Sequence, residues 1–265
     1  MKKKILCIVT AAIIALSFAG CGSSSGNSDS TNTSDSDSVT SNSSSSTPSA
    51  AEDVALTTML DESPEWITKL PEAKDAKQLF VVAAYEGTTA WVSLNEKDSS
   101  GKWQMIMTTP GYIGKAGLGK TKEGDAKTPV GTFKFNAAFG IADDPGCKIP
   151  YTKANDDTYW SGDVNEGMHY NEMVSIKDYP DLDTENSEHI LDYTRQYQYC
   201  LNVSYNDAGT PGLGSAIFLH CLGPYKPYTG GCIAIPENQM RFVMQHVDPD
   251  CVVVIDSLDN LGGSF

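Results

Sequence analysis

Short apolar runs rich in β-branched and aromatic residues, each bordered by Gly, Asp, Asn or Pro, recur from residue 79 to residue 256. They occupy 79–85, 90–94, 103–109, 132–138, 199–205, 215–220, 232–235 and 251–256. Runs of this length and composition, with turn-forming borders, predict β-strands. A different period follows the seventh run, where Met240, Val243, Met244 and Val247 recur at the i, i+3, i+4, i+7 spacing of one buried helix face. Pro236 suits the first turn of that helix because its missing N–H costs nothing there. A second helix is expected over 188–197, and a short helical segment over 54–70 that Pro64 interrupts. The balance of elements predicts a mainly β domain with one or two short helices. It runs from residue 74 to 258, a size that normally makes one domain. No internal repeat is visible.

Ahead of that domain the pattern changes. Lys2, Lys3 and Lys4 precede an apolar stretch over 5–19, too short for the roughly 20 residues that span a bilayer but suited to the apolar region of an export signal. Phe18, Ala19, Gly20 and Cys21 resemble the lipobox of bacterial lipoproteins, with phenylalanine in place of the usual leucine. That resemblance implies a signal peptide over 1–20 and a lipidated Cys21. It also implies an extracytoplasmic protein anchored to the membrane and facing the cell wall. Simple cleavage, leaving Cys21 as an incidental thiol, is the alternative. From 22 to 50 the chain is almost entirely Ser, Thr, Asn, Asp and Gly, with no aromatic residue and no Lys or Arg. Such a stretch cannot bury enough apolar surface to offset its chain entropy. Residues 21–50 therefore read as a lipidated cysteine and a disordered tether, with a root-mean-square span of roughly 30 Å and an extended reach nearer 100 Å. Residues 51–73 form a short segment between tether and domain.

Charge narrows the partners. The 265 residues carry 19 basic and 34 acidic side chains, a formal net charge of −15. Removal of the three N-terminal lysines takes it to about −18. Nucleic acid is excluded as a partner, because affinity for it rests on basic side chains that displace counterions from phosphates.

Cysteine usage points to chemistry. Of seven cysteines, Cys7 lies in the signal and Cys21 at the anchor, leaving Cys147, Cys200, Cys221, Cys232 and Cys251. An odd remainder in an exported chain suggests at least one free or functional thiol. The other four could pair or could simply be buried. Cys232 follows Gly230 and Gly231 and opens one apolar run, whereas His220 closes the run before it. This order sets a base and a thiol at neighbouring strand ends. The thiolate is the nucleophile and needs an imidazole to take the proton or stabilise the anion. Glycine lets the backbone turn sharply against a substrate, and the amides of Gly231 and Cys232 are candidates for the oxyanion site. The rival arrangement is a structural metal held by His220, Cys221 and Cys232. Its spacing lacks the second ligand pair that zinc sites usually show.

Other residues carry plainer expectations. Thr128, Pro129, Val130 and Gly131 read as a turn before a strand, and Lys120, Asp125 and Lys127 as solvated or paired turn charges. The stretch 143–171 is polar, studded with aromatics and long for a connection, so it reads as a lid or groove wall. It shows no EF-hand spacing for calcium. Tyr170 and Asn171 within it, with Thr229 and Tyr228 beside the cysteine, are the candidate substrate contacts. His169, His189 and His246 read as ordinary polar residues.

Three stretches together resemble the L,D-transpeptidase catalytic domain family of the YkuD type. The segment 119–133 contains a Gly124-Asp125 turn leading to Thr128-Pro129-Val130-Gly131-Thr132-Phe133; 212–220 ends in His220; and Thr229-Gly230-Gly231-Cys232 is similar to the family's Ser/Thr-x-Gly-Cys signature. The resemblance implies a β-sandwich with a pocket for peptidoglycan stem peptides, and no cofactor and no metal. It makes Cys232 the nucleophile and His220 the general base and then acid. Gly231 would help form the oxyanion site, and Gly230 would supply the carbonyl that orients the imidazole. The acyl group would pass from Cys232 to an amine on a neighbouring stem. Transfer to water would instead give a carboxypeptidase, and loss of activity a wall-binding module. Many relatives carry histidine where this chain has Gly230, and arginine where it has Ala234.

Overall fold

The computed structural model describes residues 61–224 and 226–264. The expected signal, lipidated Cys21, tether and residues 51–60 lie outside them. The strands in chain order begin with β1 (Asp61–Glu62), β2 (Gln78–Glu86), β3 (Thr89–Lys97), β4 (Trp103–Tyr112) and β5 (Gly131–Gly140). Four short strands follow, β6 (Tyr151–Lys153), β7 (Thr158–Trp160), β8 (Met173–Ser175) and β9 (Glu188–His189). The last four are β10 (Cys200–Val203), β11 (Phe218–Cys221), β12 (Ile233–Ile235) and β13 (Val252–Ser257). Helix α1 spans Glu65–Thr68 and α2 spans Glu237–His246. All eight strands expected from the apolar runs are present, and the fold is mainly β.

The principal sheet runs β4-β12-β11-β10-β5-β13-β2-β3, and β3 pairs back onto β4, so the sheet closes on itself. Closure removes the free edges that would otherwise pair with another chain. Among the described strands the parallel pairs are β11–β12, β13–β2 and β5–β6. Because strand side chains alternate faces, Leu219, Cys221, Ile233 and Ile235 point to the main core, where they join Phe80, Val92 and Leu201. Phe218 and Cys232 belong to a second cluster on the opposite face, with Phe139, Trp160, Tyr197 and Cys200. The chain between β5 and β10 covers this outer face. Its small sheet, β8-β7-β9, sets Trp160 against Phe139 at 5.6 Å and Phe218 at 4.8 Å between ring centroids.

Helix α2 forms as the spacing predicts and turns Met240, Val243 and Met244 into the main core. Pro236 sits at its N-cap, one residue ahead of the first turn. Met240 has no solvent exposure, so Met240→Ala should cost about 2–5 kcal/mol through lost burial and a residual cavity, readable by denaturant unfolding.

One helical expectation is corrected, and of the other, over 54–70, residues 61–70 are described. Residues 188–197 hold β9 and short 3-10 turns at Ile190–Asp192 and Gln196–Gln198. Pairing of Glu188 with Trp160, and of His189 with Tyr159, draws this stretch out of a helix. Within 54–70 the helix among the described residues is α1, which begins only after Pro64 because proline can precede a helix but not continue one. Ile67, Leu70 and Ala73 pack with Leu79 and Val81, so the chain just before residue 74 is seated on the domain.

Candidate active site

The register of β11 and β12 builds the site. Leu219 pairs with Ile233 and His220 with Ala234, so Cys232, just ahead of β12, falls beside Phe218. The Phe218 N–H donates to Cys232 Sγ at 3.3 Å, and the thiol donates to the Ala216 carbonyl at 3.2 Å. His220 lies two residues along β11 from Phe218 and shares its face. Both His220 and Cys232 open into one cavity of about 650 Å³, which Thr229, Gly230 and Tyr228 also line. Cys221 faces the main core instead, where its thiol approaches the Tyr199 carbonyl. His220, Cys221 and Cys232 therefore do not converge as a ligand set. All five cysteines of the domain are free thiols.

His220 Nδ1 lies 2.8 Å from the Cys221 carbonyl. A carbonyl only accepts, so Nδ1 carries the hydrogen and Nε2 is left as the base. The orienting carbonyl is thus that of Cys221, not of Gly230 as expected: the residue after His220 is placed by the strand itself. The Tyr197 ring stands edge-on to the imidazole at 5.5 Å. Burial drives the imidazole pKa down to about 4, against a smaller upward pull from the Cys221 carbonyl. Burial also pushes the Cys232 thiol up to about 12, and the Glu188 carboxylate adds to that, whereas the Phe218 amide and Lys120 oppose it. At neutral pH the pair rests as thiol and neutral imidazole.

A side chain that the sequence reading assigned to a turn locks the cysteine loop. Thr128 has no solvent exposure; its hydroxyl donates to the Gly231 carbonyl at 2.7 Å and accepts from the Gly114 N–H at 2.8 Å. The Thr229 hydroxyl donates to the Cys232 carbonyl at 2.7 Å and accepts from the Gly231 N–H at 3.1 Å. In this conformation the Gly231 amide is engaged by Thr229 rather than aimed at an oxyanion. Gly231 has φ +144°, and a Cβ there would lie 2.8 Å from the Lys127 carbonyl oxygen. Gly231→Ala should therefore lower stability by about 1–3 kcal/mol and displace the cysteine; thermal denaturation and thiol reactivity would show both. Gly230 differs, since a Cβ there meets open space.

Tyr170 and Asn171 are not in the cavity lining. Asn171 Oδ1 accepts from the Ala216 N–H and from Trp160 Nε1, both at 3.0 Å, while Nδ2 donates to the carbonyls of Tyr205 and Asn206. It braces Ala216, whose carbonyl receives the Cys232 thiol. The Tyr170 hydroxyl donates to Glu123 and accepts from the Gly214 N–H. Among the described residues, the cavity wall from the β5–β10 connection comes from Glu188, Tyr193, Gln196 and Tyr197, not from 143–171. Lys120 is paired, as expected of a turn charge, but deeply: its ammonium meets Asp125 Oδ1 at 3.1 Å with both side chains almost inaccessible. Burial alone would raise the Asp125 pKa, yet the N–H groups of Thr121, Lys127 and Lys122, with the Lys120 ammonium, hold it down to about 2.

Residues 87–255 match the model of the YkuD family, the L,D-transpeptidase catalytic domain. The match covers more than half of the chain, which belongs to that family. No curated protein matches it. Similar solved structures include the helical cell shape determining protein Pgp2 from Campylobacter jejuni, with 17% identity over 68% of this chain and 48% of that one, TM-score 0.36. An L,D-transpeptidase from Mycobacterium smegmatis shares 13% identity over 69% of this chain and 59% of its own, TM-score 0.33. One from Stackebrandtia nassauensis shares 14% over 72% and 63%, TM-score 0.33. The chain spans between about half and under two thirds of those proteins.

Proposed function

We propose that this protein is a peptidoglycan L,D-transpeptidase that crosslinks stem peptides through an acyl-Cys232 thioester. The observation that carries the reading is the placement of Cys232 Sγ and an unprotonated His220 Nε2 in one cavity. Membership in the YkuD family supports the reaction class.

The neutral resting pair shapes the mechanism. A separated thiolate and imidazolium would be strongly disfavoured in so buried a site, so proton transfer accompanies bond formation. Cys232 Sγ attacks the carbonyl of the donor stem while His220 Nε2 takes the thiol proton. The imidazolium returns that proton to the departing D-alanine amine as the C–N bond breaks, leaving the thioester. An acceptor amine then attacks the thioester carbon, His220 takes its proton, and the thiol is restored. Lys115 and Lys226 line the cavity in a chain of net charge −15 and flank the Tyr228 ring at 5.5 and 5.9 Å, whereas Lys120 is already paired with Asp125. Such a cationic wall suits the carboxylates of stem peptides.

The test is mass spectrometry of muropeptides incubated with the protein. Crosslinked dimers are expected; trimmed stems alone would mean hydrolysis, and unchanged muropeptides would refute the proposal. Attachment outside the cytoplasm through Cys21 belongs to the same proposal and rests on the sequence. Cys21→Ala should move the protein from the membrane to the soluble fraction on cell fractionation.

A further inference from the structure

Glu188 is a carboxylate without a cation. Strand β9 fixes it through backbone pairing with Trp160, and its side chain lines the cavity that holds His220 and Cys232. Oε2 accepts the Tyr197 hydroxyl. Oε1 has no hydrogen-bond partner, and neither oxygen has an ion-pair partner, among the described residues. The groups that act on it or feel it are Tyr197, Tyr193, Cys200, Cys232 and Glu123, none of them a cation. The cavity's lysines do not pair with it: Lys120 meets Asp125 and the Lys122 carbonyl, and Lys115 and Lys226 stand over Tyr228.

A part-buried carboxylate that lines a cavity and has no positive partner is costly to keep ionised. Burial, reinforced by Glu123, holds the Glu188 carboxyl up at about 7 despite the Tyr197 hydrogen bond. A group retained at that cost in a substrate cavity signals that a ligand supplies the missing charge. The cavity's other carboxylate, Glu123, already accepts the hydroxyls of Tyr170 and Ser215. In the reaction proposed above, the second substrate is an amine, a cation at neutral pH.

We propose that Glu188 selects the acceptor, docking its ammonium in the cavity and taking the proton that the nitrogen must lose before it attacks. This assignment rests on the acyl-transfer reading of Cys232. The ammonium arrives as R–NH3+ and gives one proton to the Glu188 carboxylate. The amine nitrogen attacks the thioester carbon, the C–N bond forms and the C–S bond breaks. His220 Nε2 takes the second proton from nitrogen and passes it to the departing sulfur. The products are the amide and the Cys232 thiol, and Glu188 releases its proton to water.

The variant is Glu188→Gln in the full-length chain. An amide oxygen at this position can still accept the Tyr197 hydroxyl, so the hydrogen bond survives while the charge is lost. The donor is a tetrapeptide stem ending in D-alanine. The acceptors are a stem peptide with one side-chain ammonium and, in parallel, hydroxylamine, an amine that is uncharged at neutral pH. D-alanine release and the thioester adduct should persist, at or above the wild-type level because one of the causes that pushes the Cys232 thiol up is removed, and the fraction of that adduct transferred to hydroxylamine should match the wild type. Transfer to the ammonium-bearing stem should fall about 10- to 100-fold, the scale of one lost hydrogen bond to a charged group. Equal loss with both acceptors, or no loss with either, overturns the role of Glu188. A wild-type protein that forms the thioester but transfers it only to water overturns it too, leaving the thiol chemistry standing. Absence of any thioester in the wild type overturns both proposals.

Discussion

Cys232→Ala should abolish D-alanine release and transfer while leaving the protein folded. Loss of a nucleophile with no substitute in the cavity is expected to lower turnover by about 10⁴-fold or more. Among the described residues no second thiol can take over: Cys221 and Cys251 lie in the main core, Cys147 packs against that core and does not line the cavity, and Cys200 has no exposure within the outer cluster. The structural cost is bounded by what the sulfur touches. Its removal leaves the Phe218 N–H and the Ala216 carbonyl without this partner, an expense of about 1–3 kcal/mol for each group that water cannot reach. Ala216 also donates its own N–H to Asn171, so the loop holding that carbonyl stays braced. Cys221→Ser is the matched comparison. It places a hydroxyl in the main core, so it should lower the melting temperature while activity per folded molecule is retained. Intact-mass detection of the acyl adduct reads the chemistry, and thermal denaturation reads the fold. An adduct that persists in the Cys232 variant, or vanishes in the Cys221 variant, would contradict the assignment of the nucleophile.

The contrast between these two cysteines explains what the sequence could and could not disclose. Period-2 alternation in Phe218, Leu219, His220 and Cys221 is a local property, and it separates the main-core pair from the outer-face pair once a strand is recognised. The eight apolar runs and helix α2 were legible for the same reason, since each carries its own period. Strands β6 to β9 are two or three residues long, too short to show a period. The 188–197 stretch therefore reads as helix in the sequence, although β7 pairs with its first two residues and short 3-10 turns follow. The residues that hold the site were hidden for a different reason. Thr128 reaches the Gly231 carbonyl across 103 positions, and Asn171 reaches the Ala216 amide across 45. Only a closed sheet brings such segments together. Asn171 does carry a conformational signal, φ +64° in a non-glycine residue, but only coordinates reveal it. The order of apolar runs and glycines brings Cys232 and His220 forward as a candidate pair; the carbonyl that orients the imidazole follows from strand geometry and is that of Cys221, not Gly230.

His220→Gln should slow thioester formation by about 10²- to 10⁴-fold, the usual loss when a positioned base is removed, and its pH behaviour should separate burial from catalysis. The base works only when neutral. With its pKa held down to about 4 by burial, wild-type kcat/KM should persist below pH 6.5 and fall only as pH drops through about 4. Stability follows the same displacement. In the unfolded chain the imidazole titrates near 6.5, so between that value and about 4 the unfolded state binds a proton that the folded state refuses. The His220 contribution is complete above about pH 6.5 and is lost as pH falls to about 4, a change on the order of 3 kcal/mol. Glu188 works in the opposite direction. Its carboxyl is raised from 4.5 to about 7, so in the folded state it takes up protons where the unfolded chain does not, which favours folding as pH falls through that range. The wild-type curve alone is therefore flattened by two opposed groups. Subtracting the unfolding free energies of His220→Gln from those of the wild type, measured from pH 7 to pH 4, cancels the Glu188 part. The difference should decline with falling pH. A difference that stays level across that range would mean that the imidazole is solvated and titrates as it does in the unfolded chain, and the neutral resting pair would have to be abandoned in favour of a charged one.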